Sequence, residues 1–298
     1  MKITALGAKV GRLTKSDYGS AMIDEATHAY RLVRPEAADS LLVFASPHSG
    51  QVVPTDMNPA RALTEASLHS ACDIGMDRLV ARASRGQVPL LTGQVSRAYV
   101  DLNRATSELD PYLICDSPEN GLAGPKTRAG YGVVPRLSGD GQPLYDRFLS
   151  MQEVQARLDE VHAPYHQALA GLMTSVRQQQ GRAVLIDWHS MPHRATGPGG
   201  PDVVLGDRFG TACDIERVRH LTRLFQDMGW RVSLNRPYAG GFATQVWGRP
   251  DDGFEALQIE LSRRLYWDET QGRPSDGWRR CQNGIARVVA ALLETCGT

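Results

Sequence analysis

Several features are scarce or missing in this 298-residue chain, and each absence removes a class of function. Net charge is the first: 33 basic residues balance 33 acidic ones. No global field would draw such a protein to DNA, RNA or an anionic membrane. Lysine is scarce beside arginine, whose rigid donor fork suits carboxylates and leaves local anion sites open. No window reaches the run of roughly 18 apolar residues that spans a bilayer. The stretch Met1–Ala8 also lacks the apolar core of a secretory signal. The five cysteines (Cys72, Cys115, Cys213, Cys281 and Cys296) are odd in number and form no CxxC pair. That argues against a disulfide framework or a thiolate zinc site, and the expected setting is a reducing cytoplasm. Internal repeats, low-complexity tracts and long linkers are absent too.

What is present suits a layered α/β protein. With 42% hydrophobic residues the chain has ample material for a core. Short apolar runs at Leu41–Ser46, Val88–Val95, Ala183–Asp187, Val203–Leu205, Arg231–Leu234 and Ala256–Leu261 read as strands, with a further short one at Ala98–Leu102. They alternate with helical patterns at Leu63–Ser84, Leu144–Gln180 (broken near Pro164), Cys213–Met228 and Gly277–Glu294. The pattern predicts one α/β domain over residues 1–298, with 1–40 as an irregular or antiparallel lead-in. Residues 109–143 are rich in Gly, Pro, Ser and Asp and include Gly121-Leu-Ala-Gly124-Pro-Lys-Thr-Arg128. A loop of that length is a lid or binding-loop candidate, or a bland insertion.

Three of the apolar runs end in groups that can do chemistry. His48 closes Leu41–Ser46, in Ser-Pro-His-Ser-Gly, and His189 closes the run that begins at Ala183, in Asp187-Trp-His-Ser. Glu260 interrupts the last, where a buried carboxylate needs a partner or a purpose. Open α/β sheets place their sites at the carboxyl ends of their strands, so the three should converge. Catalytic zinc takes three protein ligands and leaves a fourth position open. His48 and His189 supply two, and Asp73 is the candidate for the third, with Asp77 and Asp187 in reserve. Asp73 could equally cap a helix. Glu260 would act as general base beside the metal, or pair with Arg263 or Arg264. Arg97, Asn103 and Arg104, in Ser96-Arg-Ala-Tyr-Val-Asp-Leu-Asn-Arg104, suit a carboxylate clamp. Arg128 and Arg136 could add a second anion contact or stabilise an oxyanion. Tyr238, Gly240 and Gly241 form a turn that would let backbone approach a ligand. His162 and His166 share a helix face but lack the Glu of a zincin motif, so they read as structural.

Taken together these segments resemble the N-formylglutamate amidohydrolase family. The resemblance rests on Ser46-Pro-His-Ser-Gly50, Arg97-x-Tyr-Val-Asp-Leu-Asn-Arg104, Gly130-Tyr-Gly-Val-Val-Pro-Arg136, Asp187-Trp-His-Ser-Met191, Asn235-x-Pro-Tyr-x-Gly-Gly241 and Gln258-Ile-Glu-x-x-Arg-x-Leu-Tyr266. The set runs in order over most of the chain. It implies a three-layer α/β/α sandwich around a mixed, mainly parallel sheet, akin to zinc carboxypeptidases and succinylglutamate desuccinylases. It also implies zinc, or another divalent metal, on His48 and His189, with Glu260 as base and Asn103 and Arg104 on a substrate carboxylate. The implied reaction is hydrolysis of N-formyl-L-glutamate or a similar small N-acyl amino acid. One departure stands out: Gln51 occupies the place of the carboxypeptidase glutamate three residues after the first histidine. The rival readings are a non-catalytic binding relative and a metal-free hydrolase using Cys72 or Cys213. Neither cysteine has a neighbourhood that would lower its pKa.

Overall fold

The computed structural model describes residues 3–4, 22–35, 39–116 and 124–296. Most of the lead-in and residues 117–123 of the Gly-rich stretch lie outside the described residues, as does the side chain of Cys296. At the centre is an eight-stranded sheet. In chain order its strands are β1 (Met22–Ala26), β2 (Tyr30–Pro35), β3 (Leu42–Ser46), β4 (Leu90–Gly93), β5 (Ala183–Met191), β6 (Val203–Gly206), β7 (Val232–Leu234) and β8 (Phe254–Ser262). Across the sheet the order is β1-β2-β4-β3-β5-β8-β6-β7. The pairs β4–β3, β3–β5, β5–β8 and β6–β7 are parallel, while β1–β2, β2–β4 and β8–β6 are antiparallel.

The middle strands read as continuous apolar runs because helices cover both of their faces. Phe44, Ile186, Trp188, Leu257 and Ile259 pack on one side against α2 (Met76–Ser84), α6 (Ile215–Asp227) and α8 (Trp278–Cys296). Val43, Ala45, Leu185 and Ala256 pack on the other against α5 (Ala163–Gln180) and α7 (Phe242–Trp247). This is the expected three-layer sandwich. Period-two alternation puts Leu185, Asp187 and His189 on the α5 face, beside Ala256, Gln258 and Glu260 of the adjoining strand. Register then pairs Gln258 with Asp187 and Glu260 with His189. The two strands therefore present their polar residues side by side.

Three local readings change. The expected helix over Leu63–Ser84 is two pieces, α1 (Glu65–His69) and α2: the first ends at Ser70, and Gly75, in the left-handed region (φ 80°), caps the start of the second. The break carries Asp73, whose N–H donates to the His48 carbonyl at 2.8 Å. Ala98–Leu102 is not a strand but a turn, closed by the Tyr99 N–H on the Ser96 carbonyl. Near Pro164 the long helix does not stop. The α4 helix (Met151–Arg157), started by a Ser150–Glu153 capping box, passes through one π turn (Leu158–His162) into α5. Proline's missing N–H is absorbed in that wider turn.

Candidate metal and active site

The carboxyl ends of β3, β5 and β8 open into a cavity of about 380 Å³. At its floor the Nδ1 atoms of His48 and His189 stand 3.1 Å apart. Asp73 Oδ2 lies 3.1 Å from the His189 nitrogen and 3.7 Å from that of His48. All three side chains are buried. Each imidazole turns its other nitrogen to a carboxylate: His48 Nε2 lies 2.7 Å from Asp101 Oδ1, and His189 Nε2 lies 2.9 Å from Asp187 Oδ2. Donation of both Nε2–H groups to these acceptors leaves two bare Nδ1 lone pairs and a carboxylate oxygen converging on one point. Such a cluster needs a cation. Tetrahedral ligands about 2.0–2.1 Å from zinc sit roughly 3.3 Å apart, so the observed separations suit the ion with little movement.

The electrostatics agree with that need. Burial alone would raise the pKa of Asp73, but its hydrogen bonds to His189 and His48 and their positive charge outweigh it. Its carboxyl is held well below the usual range. For His189 burial opposes protonation, yet Asp187, Asp73 and Glu260 overcome it and hold its pKa well above the ordinary value. Asp73 is thus held as an anion among groups that favour positive charge, and His189 is surrounded by carboxylates.

The other oxygen of Asp73 is fixed from behind. Ser190 Oγ donates to Oδ1 at 2.8 Å, and Arg263 Nε donates to Ser190 at 3.1 Å. The buried Arg263 also donates to the Ser70 and Cys72 carbonyls at 2.9 and 2.8 Å, clamping the α1–α2 break. Glu260 lines the cavity above the cluster and is 7% exposed. Burial pushes its pKa up, against the pull of His189 and His48. Gln258 Nε2 donates to Glu260 Oε1 at 2.8 Å, while Gln258 Oε1 accepts the Gly241 N–H at 2.8 Å.

The remaining candidates separate into two groups. Arg97, Asn103, Arg104, Tyr238, Gly240 and Gly241 line the cavity. Arg97 is paired to Asp101 at 2.6 Å, and Arg104 leans on Glu108 at 3.3 Å. Both ends of Asn103 are engaged: Oδ1 accepts the Ala243 N–H at 3.0 Å and Nδ2 donates to Gln258 Oε1 at 3.4 Å. A side chain on Gly241 would collide with that amide at 2.3 Å, which is why glycine stands there. Arg128 and Arg136 do not reach the cavity. Asp110, fully buried, draws Arg136 away at 3.0 Å, and Tyr112 lies under its guanidinium. Arg128 is exposed and its carbonyl accepts from Arg136. Asp101, Ser190, Gln258 and Arg263 were missed as site residues. Only Asp101, a carboxylate flanked by arginines three and four positions away, carried a readable signal.

His162 and His166 have a supporting task. Their rings meet at a tilt with centroids 4.3 Å apart, and each Nε2 lies 2.9 Å from a carbonyl, that of Arg104 or Leu102. They brace the segment that carries Asn103 and Arg104. Burial, reinforced by His162, lowers the His166 pKa to about 3. An unfolded histidine titrates near about 6.5, so the folded state prefers the neutral ring. The stability this contributes is full above about pH 6.5 and declines as pH falls towards 3. In urea titrations from pH 7 to pH 4, His166→Gln should flatten the stability profile by up to one proton's slope, about 1.4 kcal/mol per pH unit. Parallel profiles would contradict this.

Comparison with known proteins agrees with this geometry. The N-formylglutamate amidohydrolase family model matches residues 40–267. The chain is 30% identical over 240 residues to an N-formylglutamate deformylase of Pseudomonas aeruginosa, covering 76% of this chain and 82% of that protein. It is similar in structure to the N-formylglutamate amidohydrolase from Ralstonia eutropha JMP134, with a TM-score of 0.83 and 32% identity over 91% of this chain and 99% of that one. The chain belongs to the N-formylglutamate amidohydrolase family and is an amidohydrolase.

Proposed function

We propose that the protein hydrolyses the formamide bond of N-formyl-L-glutamate, releasing formate and glutamate, with a zinc ion held by His48, Asp73 and His189. The observation that carries this reading is Glu260 beside a buried His-Asp-His cluster, in a cavity that also carries arginines. Zinc, when bound, would polarise the formyl carbonyl and bring the pKa of a water towards about 7. The chain's own residues do the rest. Asp101 and Asp187 fix both imidazoles in the tautomer that offers Nδ1. Glu260, buried and oriented by Gln258, takes the proton of the attacking water and returns it to the departing nitrogen. Arg97, anchored by Asp101, faces the cavity as a donor for the oxygen that becomes negative. Arg104 holds the α-carboxylate, and Asn103 keeps the wall between Arg104 and His189 in shape.

Release of formate from N-formylglutamate, by zinc-loaded and by chelated protein, tests the proposal. N-acetylglutamate and N-formylmethionine assayed alongside separate the acyl group from the side chain. Formate release that ignores chelation, or an absence of release at full zinc loading, would overturn it. Arg104→Ala should raise KM about tenfold or more while kcat stays within a few-fold, because a charge-assisted contact to a carboxylate is uniform binding. An unchanged KM would count against the clamp.

A further inference from the structure

The cavity lining carries more positive than negative charge. Arg97, Arg104, Lys126, Arg194 and Arg263 share it with only two carboxylates, Asp101 and Glu260. Each arginine already has a partner within the protein, although Arg104 keeps its Nε without a hydrogen bond. Arg97 is held by Asp101, Arg263 by Ser190 and two carbonyls, Arg194 by the Gly139 carbonyl and Arg104 by Glu108. Lys126 is different: among the described residues, no hydrogen bond or ion pair engages its ammonium. It is also unusual in kind. Only four lysines occur in the sequence, and the other three, Lys2, Lys9 and Lys15, lie outside the described residues.

Lys126 is carried on α3 (Pro125–Arg128) and keeps access to solvent at the cavity wall. Burial, and after it the charge of Arg104, pushes the ammonium pKa down, while Asp101 and Glu260 pull the other way. Both cations line one cavity and repel each other, and an anion entering it relieves both. The substrate proposed above brings two carboxylates. A guanidinium fork matches the carboxylate fixed to the α-carbon, whereas a compact charge on a flexible stem can follow one at the end of two methylenes.

We propose that Lys126 is a specificity-determining residue, binding the side-chain carboxylate of a dicarboxylate substrate whose α-carboxylate is held by Arg104. The assignment rests on the deformylase reading for its substrate, and the test separates the two. Kinetics on N-formylglutamate and on N-formylglutamine, its neutral near-isostere, are compared in wild type, Lys126→Met and Lys126→Arg. Lys126→Met should raise KM for N-formylglutamate about tenfold or more, the worth of one charge-assisted bond. It should hold kcat and leave N-formylglutamine unaffected, and Lys126→Arg should regain part of the preference. Equal losses on both substrates, or no loss on either, overturn the proposal.

Calorimetric binding of glutarate and of its monoamide gives a readout independent of turnover. A preference for glutarate that vanishes in Lys126→Met supports the proposal; one that persists, or is absent from wild type, overturns it. If glutarate selectivity depends on Lys126 while N-formylglutamate is not hydrolysed, the deformylase reading fails and the dicarboxylate site stands.

Discussion

Glu260→Gln should lower kcat on N-formylglutamate by about 10²–10⁴-fold, with zinc content and fold unchanged. The substitution keeps the shape of the side chain and an oxygen able to accept the Gln258 N–H, which now meets Glu260 at 2.8 Å. It removes the one property a base requires. The strand should survive, because its pairing with β5 runs through backbone groups from Phe254 to Ser262. Zinc should survive as well, because the converging donors come from His48, Asp73 and His189. Burial raises the Glu260 pKa from its ordinary value, which moves it towards the neutral range where a proton acceptor also makes a competent donor. Metal stoichiometry and kcat, measured on one preparation, decide the matter. Full turnover in the variant would remove Glu260 from the mechanism, and loss of zinc would make it a ligand instead.

The parts of this molecule that local pattern encodes were legible before any coordinates. β3, β5 and β8 are buried on both faces, so each is a continuous apolar run, and a polar residue at the end of such a run stands out. His48, His189 and Glu260 were found that way. Asp73 was legible only as one of several carboxylates. What selects it is a break between α1 and α2 that ends at Gly75 and is fixed by the N–H contact to the His48 carbonyl. Amphipathic spacing on either side of that break reads as a single helix.

The arginines show the opposite failure. Arg136 and Arg104 look alike in sequence, each beside a Gly-rich or polar turn. Their fates differ because Asp110 captures the one and Glu108 only leans on the other. Pairings across 53, 116 and 141 positions, such as His48 with Asp101, Asp73 with His189 and His48 with His189, leave no periodic trace at all. The family resemblance implied a metal on His48 and His189, but it left the third ligand open and could not say which carboxylate stands behind which imidazole.

Removing zinc should abolish formate release, and the two carboxylates around His48 should do so to different degrees when altered. Asp73→Asn keeps an oxygen for Ser190 but takes the negative charge out of the cluster. Its remaining donors would be two imidazoles, one fewer than a catalytic zinc site uses. The variant should bind zinc so weakly that activity is absent even with excess metal. Asp101→Asn touches no converging donor; it weakens the hold on His48 Nε2, now 2.7 Å from the carboxylate, and the ion pair that anchors Arg97. Loss of such a contact typically costs 10–100-fold in metal affinity, so added zinc should restore metal binding and part of the turnover. Zinc titrations against a competing chelator, run beside activity, would rank wild type, Asp101→Asn and Asp73→Asn in that order. If Asp73→Asn bound zinc as tightly as wild type, the third ligand would have to be sought elsewhere. Restoration of Asp73→Asn by zinc with no recovery of Asp101→Asn would exchange the roles assigned to the two carboxylates.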